Sequence, residues 1–361
     1  KLAREAACKS MVLLKNKNQV LPLSENLKSI AVIGPLADSK KDMSGSWSKS
    51  CDSKDMITLL EALTTQIGST TKIKYEKGCD VQGDDRSGFA AAIKAASKSD
   101  VILVAMGESK ELSGEASSGS DISLPGIQKE LLKELKKLNR PIVLILFNGR
   151  PLSIPWEADN VDAILEAWFP GNEAGNALAD VLFGRFNPQG KLTVSFPRSV
   201  GQVPIFYNHK NTGRPEGGGE KFFVTRYIDN SNQPLFPFGY GLSYTTFEYS
   251  EIKLEAPQLT YDGILHATVK VKNTGKYKGV ETIQLYIRDL VASSTRPVKE
   301  LKHFQKVELT PGEEKEVKFE IKEEDLRFWN NNKQYFSEPG KFQLFIGSDS
   351  ESVKKAEFEL L

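Results

Sequence analysis

The hydrophobic rhythm of the chain changes once along its 361 residues. Up to about residue 215, short β-branched runs alternate with stretches of helical period. The strand candidates are residues 29–34 (SIAVIG), 72–75, 100–106 (DVILVAM), 141–147 (PIVLILF), 162–165 and 191–196 (KLTVSF). Runs such as VILVAM and IVLILF show no polar alternation, which suits strands buried on both faces of a mainly parallel sheet. Between them the spacing predicts a helix over 127–138, with Ile127, Leu131, Leu132, Leu135 and Leu138 on one face and Pro125 opening its first turn. The opening segment, LAREAACKSMVLLKN at 2–16, reads as one amphipathic helix already under way, and the chain starts at Lys1 rather than Met. Sequence upstream is therefore expected to have been removed.

From about Leu254 the period becomes two. Strands are predicted at 266–272, 282–288, 316–321 and 341–346, with turns at Asn273 to Gly275, Pro311-Gly312 and Pro339-Gly340. The fold class that follows is α/β: a mostly parallel α/β sandwich domain over 1–215, then a small β-sandwich over 251–361. The stretch 216–250 is a connecting segment. Around its start GRPEGGGEK is a loop by composition, whereas LFPFGYGLSYTTF is too aromatic for a free linker and is expected to pack at the junction of the domains.

Charge narrows the partners. The 48 basic and 47 acidic residues are interleaved, so no electrostatic footprint for nucleic acid or an anionic membrane exists. No stretch reaches the roughly 20 apolar residues that span a bilayer. The cysteines, Cys8, Cys51 and Cys79, form no CxxC, and His209, His266 and His303 lie far apart, which predicts no structural metal. Cys51 and Cys79 are the candidate pair in an oxidising compartment, so cysteine usage leaves the redox environment open. GNEAGNALADVLFG resembles a glycine-rich helix start, but no strand-GxGxxG-helix arrangement precedes a ribose-binding acid. No cofactor is expected.

Candidate chemistry lies in residues 107–124, GESKELSGEASSGSDISL, an 18-residue connection where a βα loop usually has about 2 to 6. It carries Glu108, Glu111, Glu115 and Asp121 with six serines, at the sheet edge where α/β proteins place their sites. From composition alone, a solvated acidic loop is the competing reading.

The chain resembles the part of glycoside hydrolase family 3 that follows the N-terminal barrel, most closely the periplasmic β-glucosidases of Gram-negative bacteria. The resemblance is carried by REAACKSMVLLKN at 4–16, AVIGPLAD at 31–38, the EASS and DISLP portions of the loop, FNGRPL at 147–152, AWFPGNEAGNALADVLFG at 167–184, NPQGKLTVSFPRSVGQVP at 187–204 and PFGYGLSYTTF at 237–247. It implies a retaining exo-β-glucosidase in which an aspartate nucleophile on the missing barrel works with a glutamate from this domain, the two carboxyls about 5 Å apart. Aligning on Leu124-Pro125 puts that acid/base at Glu115, with Glu111 next and Glu108 third. Relatives usually carry an arginine where this chain has Gly119. Trp47, in SGSW, falls where relatives place a tryptophan against the sugar of the aglycone subsite; an ordinary half-buried tryptophan is the alternative. Trp168 and Trp156 read as structural, and Arg150 in the NGRP turn as holding loops together rather than reaching carbohydrate.

The implied partners are a β-linked gluco-oligosaccharide, the N-terminal barrel of the same enzyme and a second copy in a homodimer. The sandwich resembles a fibronectin type III module, and the implied location is periplasmic or secreted. Alone, the 361 residues are expected to be inactive, since half of the carboxylate pair is absent. The competing functions are a β-xylosidase or broad exo-β-glycosidase and, from another class, a non-catalytic carbohydrate-binding or scaffold module.

Overall fold

The structure, a computed structural model, describes residues 1–48, 50–215 and 223–361. It divides into two compact units, Lys1–Lys191 with Phe196–Val203 and Gly241–Tyr244, and Leu192–Ser195 with Pro204–Tyr240 and Thr245–Leu361.

The first unit runs α1 (Leu2–Ser10), β1 (Val12–Asn16), β2 (Ser29–Ile33), α2 (Leu59–Ile67), β3 (Lys72–Glu76), α3 (Phe89–Ser97), β4 (Val101–Gly107), α4 (Gln128–Lys136), β5 (Ile142–Phe147), α5 (Pro155–Asn160), β6 (Ala163–Glu166) and α6 (Ala174–Leu182). One six-stranded sheet has the order β1-β6-β5-β4-β2-β3, parallel throughout except for β1. Every residue of β4 and β5 is buried. Ile30, Val32, Leu103, Ala105, Val143 and Ile145 join α1, α2 and α6 in one core, while Ile33, Ala92 and Leu131 meet beneath Gly78 on the side of α3 and α4. The expected mostly parallel α/β sandwich is therefore present.

Three local expectations are corrected. Residues 2–16 are a helix followed by a strand. Met11, Val12, Leu13 and Leu14 are all fully buried, which four consecutive residues of a half-exposed helix cannot be, so the backbone turns at Met11 and pairs with β6. Residues 191–196 form no strand of the sheet; the Leu192 N–H donates to Tyr240 O and its carbonyl accepts from Gly239 N–H. Pro125 stands before the first turn of α4, which starts at Gln128, although Leu131, Leu132 and Leu135 face inward as expected. Cys51 and Cys79 are unpaired, the first exposed after β2 and the second buried after β3.

In the second unit, β7 (Phe247–Tyr249), β8 (Lys253–Leu254), β10 (Leu265–Asn273) and β13 (Glu314–Ile321) make one sheet. A second holds β9 (Gln258–Leu259), β11 (Gly279–Asp289), β12 (Glu300–Leu309), β16 (Gly340–Gly347) and β17 (Val353–Leu360), and β14 (Phe328–Trp329) with β15 (Tyr335–Phe336) forms a short hairpin. Alternate residues such as Leu265, Ala267, Val269 and Val271 face Ile283, Leu285, Phe342, Leu344 and Phe358 in one core. This is the expected β-sandwich. Strands β12 and β17 escape a period-two reading because their exposed faces alternate imperfectly. The outer face of β11 is also covered: Tyr207 stacks on Phe238 at 4.2 Å and meets Tyr286 edge-on at 5.8 Å. Of the aromatic segment 235–247, Pro237 to Tyr240 belongs to this unit and Gly241–Tyr244 to the first. There the Tyr244 hydroxyl donates to Val181 O at 2.6 Å and the Leu242 N–H to Leu13 O at 2.8 Å. Of the expected loop 213–221, residues 216–221 lie outside the described residues.

The end of β4 depends on Gly107, whose φ of +137° only glycine adopts readily; a Cβ there would collide with the Phe147 carbonyl. Gly107→Ala is expected to lower stability by about 2–4 kcal/mol, read as a lower urea midpoint at unchanged m.

Candidate active site

The strand order reverses between β2 and β4, so the segments leaving their carboxyl ends flank the crevice where open α/β sheets bind ligands. The segment after β2 carries Trp47 and the one after β4 carries the four carboxylates. They meet. A Cβ at Gly114 would lie 2.7 Å from Ser46 Oγ and 3.9 Å from the Trp47 ring, and the Lys110 N–H donates to buried Asp42 Oδ1 at 3.0 Å. Trp47 is 77% exposed, so the half-buried alternative does not describe it. Trp168 follows β6 at φ +57° and packs its ring edge-on against Phe196 at 6.0 Å.

The three glutamates of the loop have different surroundings. Glu115 is exposed at the crest of a turn, between Gly114 at φ +111° and Ala116 at φ +59°. A non-glycine residue in the left-handed region is strained, and such strain concentrates at functional positions. Glu111 is also exposed. Its partial burial acts upward on the pKa but is outweighed by hydrogen bonds from its own backbone N–H and the Ser109 hydroxyl and by the charges of Lys41 and Lys110, which hold the carboxyl below its ordinary value. Glu108 is buried at the end of β4, where desolvation raises its pKa against the opposing pull of Arg150 and the Gly149 N–H. Arg150 Nε stands 3.0 Å from Glu108 Oε1. Glu108 and Glu111 line a cleft of about 360 Å³ with Gln82, Ser117, Asp121 and Arg150, and Glu115 stands outside that lining.

Arg150 holds the loop, as its place in the turn after β5 predicts: its Nη2 donates to the carbonyls of Leu112 and Ser117. Two further residues escaped sequence reasoning. Asp42 ties the two long segments together and leaves no signal in the sequence. Glu166 ends the apolar strand β6, and a carboxylate closing such a run at the carboxyl edge of a sheet was the available sign. It is fully buried, accepts from the Trp168 N–H at 2.9 Å and the Asn148 amide at 3.2 Å, and desolvation, reinforced by the nearby Glu108, pushes its pKa from 4.5 to about 8.

At neutral pH Glu166 is therefore protonated in the fold and ionised in the unfolded chain. The stability it contributes is complete below pH 4.5 and is lost as pH rises through about 8. Glu166→Gln, which mimics the neutral acid, is expected to gain progressively on wild type between those limits, up to about 5 kcal/mol, and to keep a constant lead above them. Denaturant unfolding at a series of pH values reads this directly.

The profile of the Glycosyl hydrolase family 3 C-terminal domain matches residues 11–244, and that of a fibronectin type III-like domain matches 281–350. A protein of Salmonella typhimurium named periplasmic beta-glucosidase is 47% identical over 100% of this chain and 50% of its own length. A beta-xylosidase of Formosa agariphila is 41% identical over 97% of this chain and 48% of its own. The solved structure of a beta-glucosidase from Listeria innocua in complex with glucose superposes with a TM-score of 0.93 at 42% identity, over 99% of this chain and 49% of that one. This chain spans about half the length of the curated relatives it matches. With both domain profiles matched in order and the α/β fold and sandwich in place, the chain belongs to glycosyl hydrolase family 3, of which it carries the C-terminal α/β domain and the fibronectin type III-like domain.

Proposed function

We propose that this chain supplies the general acid/base of a retaining, exo-acting β-glucosidase, with Glu115 in that role and an aspartate nucleophile on an N-terminal barrel of the complete protein. One observation carries the choice of Glu115. It is lifted from the sheet edge by a turn with positive φ on both sides, beside exposed Trp47, where a second domain bearing substrate has access. Glu108 is a poorer candidate because it is buried against Arg150, and Glu111 because hydrogen bonds from its own backbone N–H and Ser109, aided by two lysines, favour its ionised form.

In the first step the Glu115 carboxyl gives its proton to the glycosidic oxygen as the bond to the anomeric carbon breaks and the aspartate attacks the opposite face. In the second the Glu115 carboxylate takes a proton from water, which displaces the aspartate and restores the β configuration. Retention of configuration sets the two carboxyls about 5 Å apart. Trp47 offers an indole face to the apolar face of the aglycone sugar. A β-xylosidase is the second reading, supported by a relative of that name at 41% identity, since glucose and xylose differ only in a hydroxymethyl group. Periplasmic or secreted location is proposed on the strength of the relative named periplasmic.

In the complete polypeptide, Glu115→Ala is expected to lose cellobiose turnover by about 10²-fold or more while azide restores hydrolysis of an activated aryl β-glucoside, yielding the β-glycosyl azide. Near wild-type turnover of cellobiose would move the role to Glu111 or Glu108. Trp47→Ala is expected to raise KM for cellobiose about tenfold, with a smaller effect on deglycosylation of the enzyme, as steady-state kinetics with both substrates would report.

A further inference from the structure

The crest of the Glu115 turn is tied to the sheet through the neck below it. The turn has a neck of two backbone carbonyls, Leu112 before Glu115 and Ser117 after it. One nitrogen, Arg150 Nη2, donates to both, at 2.6 Å in the case of Ser117. The other side of the guanidinium faces Glu108, with Nε 3.0 Å from Oε1, and the second oxygen of Glu108 accepts from the Gly149 N–H at 3.4 Å. Asn148, buried beside them, donates one amide group to both Arg150 O and Glu166 Oε2. The clamp is therefore anchored at the ends of β4, β5 and β6 at once.

We infer that Arg150 is the positioning residue for the acid/base, fixing the crest at Glu115 by closing the neck of its turn, and that Glu108 serves as the counter-ion that aims the guanidinium. The inference rests on the assignment of Glu115 proposed above. Its physical basis is the fork of the guanidinium, which directs hydrogen bonds along fixed vectors in one plane; an ammonium at the same place supplies charge without that geometry. Because the acceptors are backbone carbonyls, the grip is independent of the side chains of the turn. The fit is close on both flanks. Ser113, within the turn, packs directly on Gly149, where a Cβ would collide with its hydroxyl, and a Cβ at Gly119 would come within 3.2 Å of Arg150 Nη1. A displacement of the crest by about 1 Å is enough to cost a proton transfer a factor on the order of 10².

The test uses the complete polypeptide with Arg150→Gln, Arg150→Lys and Glu108→Gln, and a series of aryl β-glucosides whose leaving phenols span good to poor. Arg150→Gln is expected to lower kcat/KM by about 10²-fold for the poorest leaving group and by less than about threefold for the best, the pattern of a misplaced proton donor. Arg150→Lys should recover only a part of this, Glu108→Gln should follow Arg150→Gln at smaller amplitude, and amide hydrogen exchange of residues 112–118 should accelerate in Arg150→Gln while β4 and β5 keep their protection. Equal loss for all leaving groups, full rescue by lysine, or unchanged exchange at 112–118 would overturn the inference. Glu115→Ala measured alongside separates the two readings. If it shows no dependence on leaving group, the assignment of Glu115 is at fault, and exchange at 112–118 then decides by itself whether Arg150 closes the neck.

Discussion

The central constraint on this fold is that β4 and β5 have no face left for water. Every one of their residues is buried, so neither strand accommodates a charge along its length, and the polar groups of the region are displaced to the strand ends. The parallel connections all return to the same edge, and the order β3-β2-β4-β5-β6 puts the two longest of them side by side at the reversal between β2 and β4. Chemistry gathers at that edge because the sheet excludes it elsewhere.

Burial at this edge has its own consequences. Glu108 and Glu166 are both removed from water, and two carboxylates in such surroundings cannot both stay ionised without compensation. Arg150 compensates the first. The second is held as a neutral acid near neutral pH, with a main-chain N–H and the Asn148 amide on its two oxygens. The outcome is a rigid base made of an ion pair and a protonated carboxyl, above which a strained turn raises an exposed glutamate. Three nearby glutamates are therefore not equivalent: one is buried in an ion pair, and Glu111 and Glu115 are exposed above it.

The sandwich obeys the same rule by a different pattern. Leu265, Ala267, Val269 and Val271 alternate with solvent-facing residues because only one face of β10 meets the core. Strand β11 departs from that pattern: Thr282, Gln284 and Tyr286 are buried on its other side, where Tyr207 stacked on Phe238 meets Tyr286. The strand runs Gly279–Asp289, beyond the predicted 282–288 at both ends, and because its covered outer face is built from Thr282, Gln284 and Tyr286 its burial on both sides left no continuous apolar run in the sequence.

The sequence by itself determined the parallel sheet, through VILVAM and IVLILF, and the sandwich, through HATVKVK and EVKFEI, because hydrophobic period is a local record of how many faces a strand buries. It also marked residues 107–124 as longer than an ordinary βα connection, with a solvated acidic loop as the competing reading, and expected the arginine of NGRP to hold loops. It misread residues 2–16, since a helix and a following strand can share one apolar phase until packing shows four consecutive buried residues. Which glutamate is buried, which is paired and which is lifted into solvent was decided only by the tertiary structure. Glu108, Glu111 and Glu115 are the same residue type within eight positions; Glu108 is set apart by burial and by Arg150 and the Gly149 N–H, and the lowered pKa of Glu111 draws in part on Lys41, groups that are remote in the chain and adjacent only after the strands have paired.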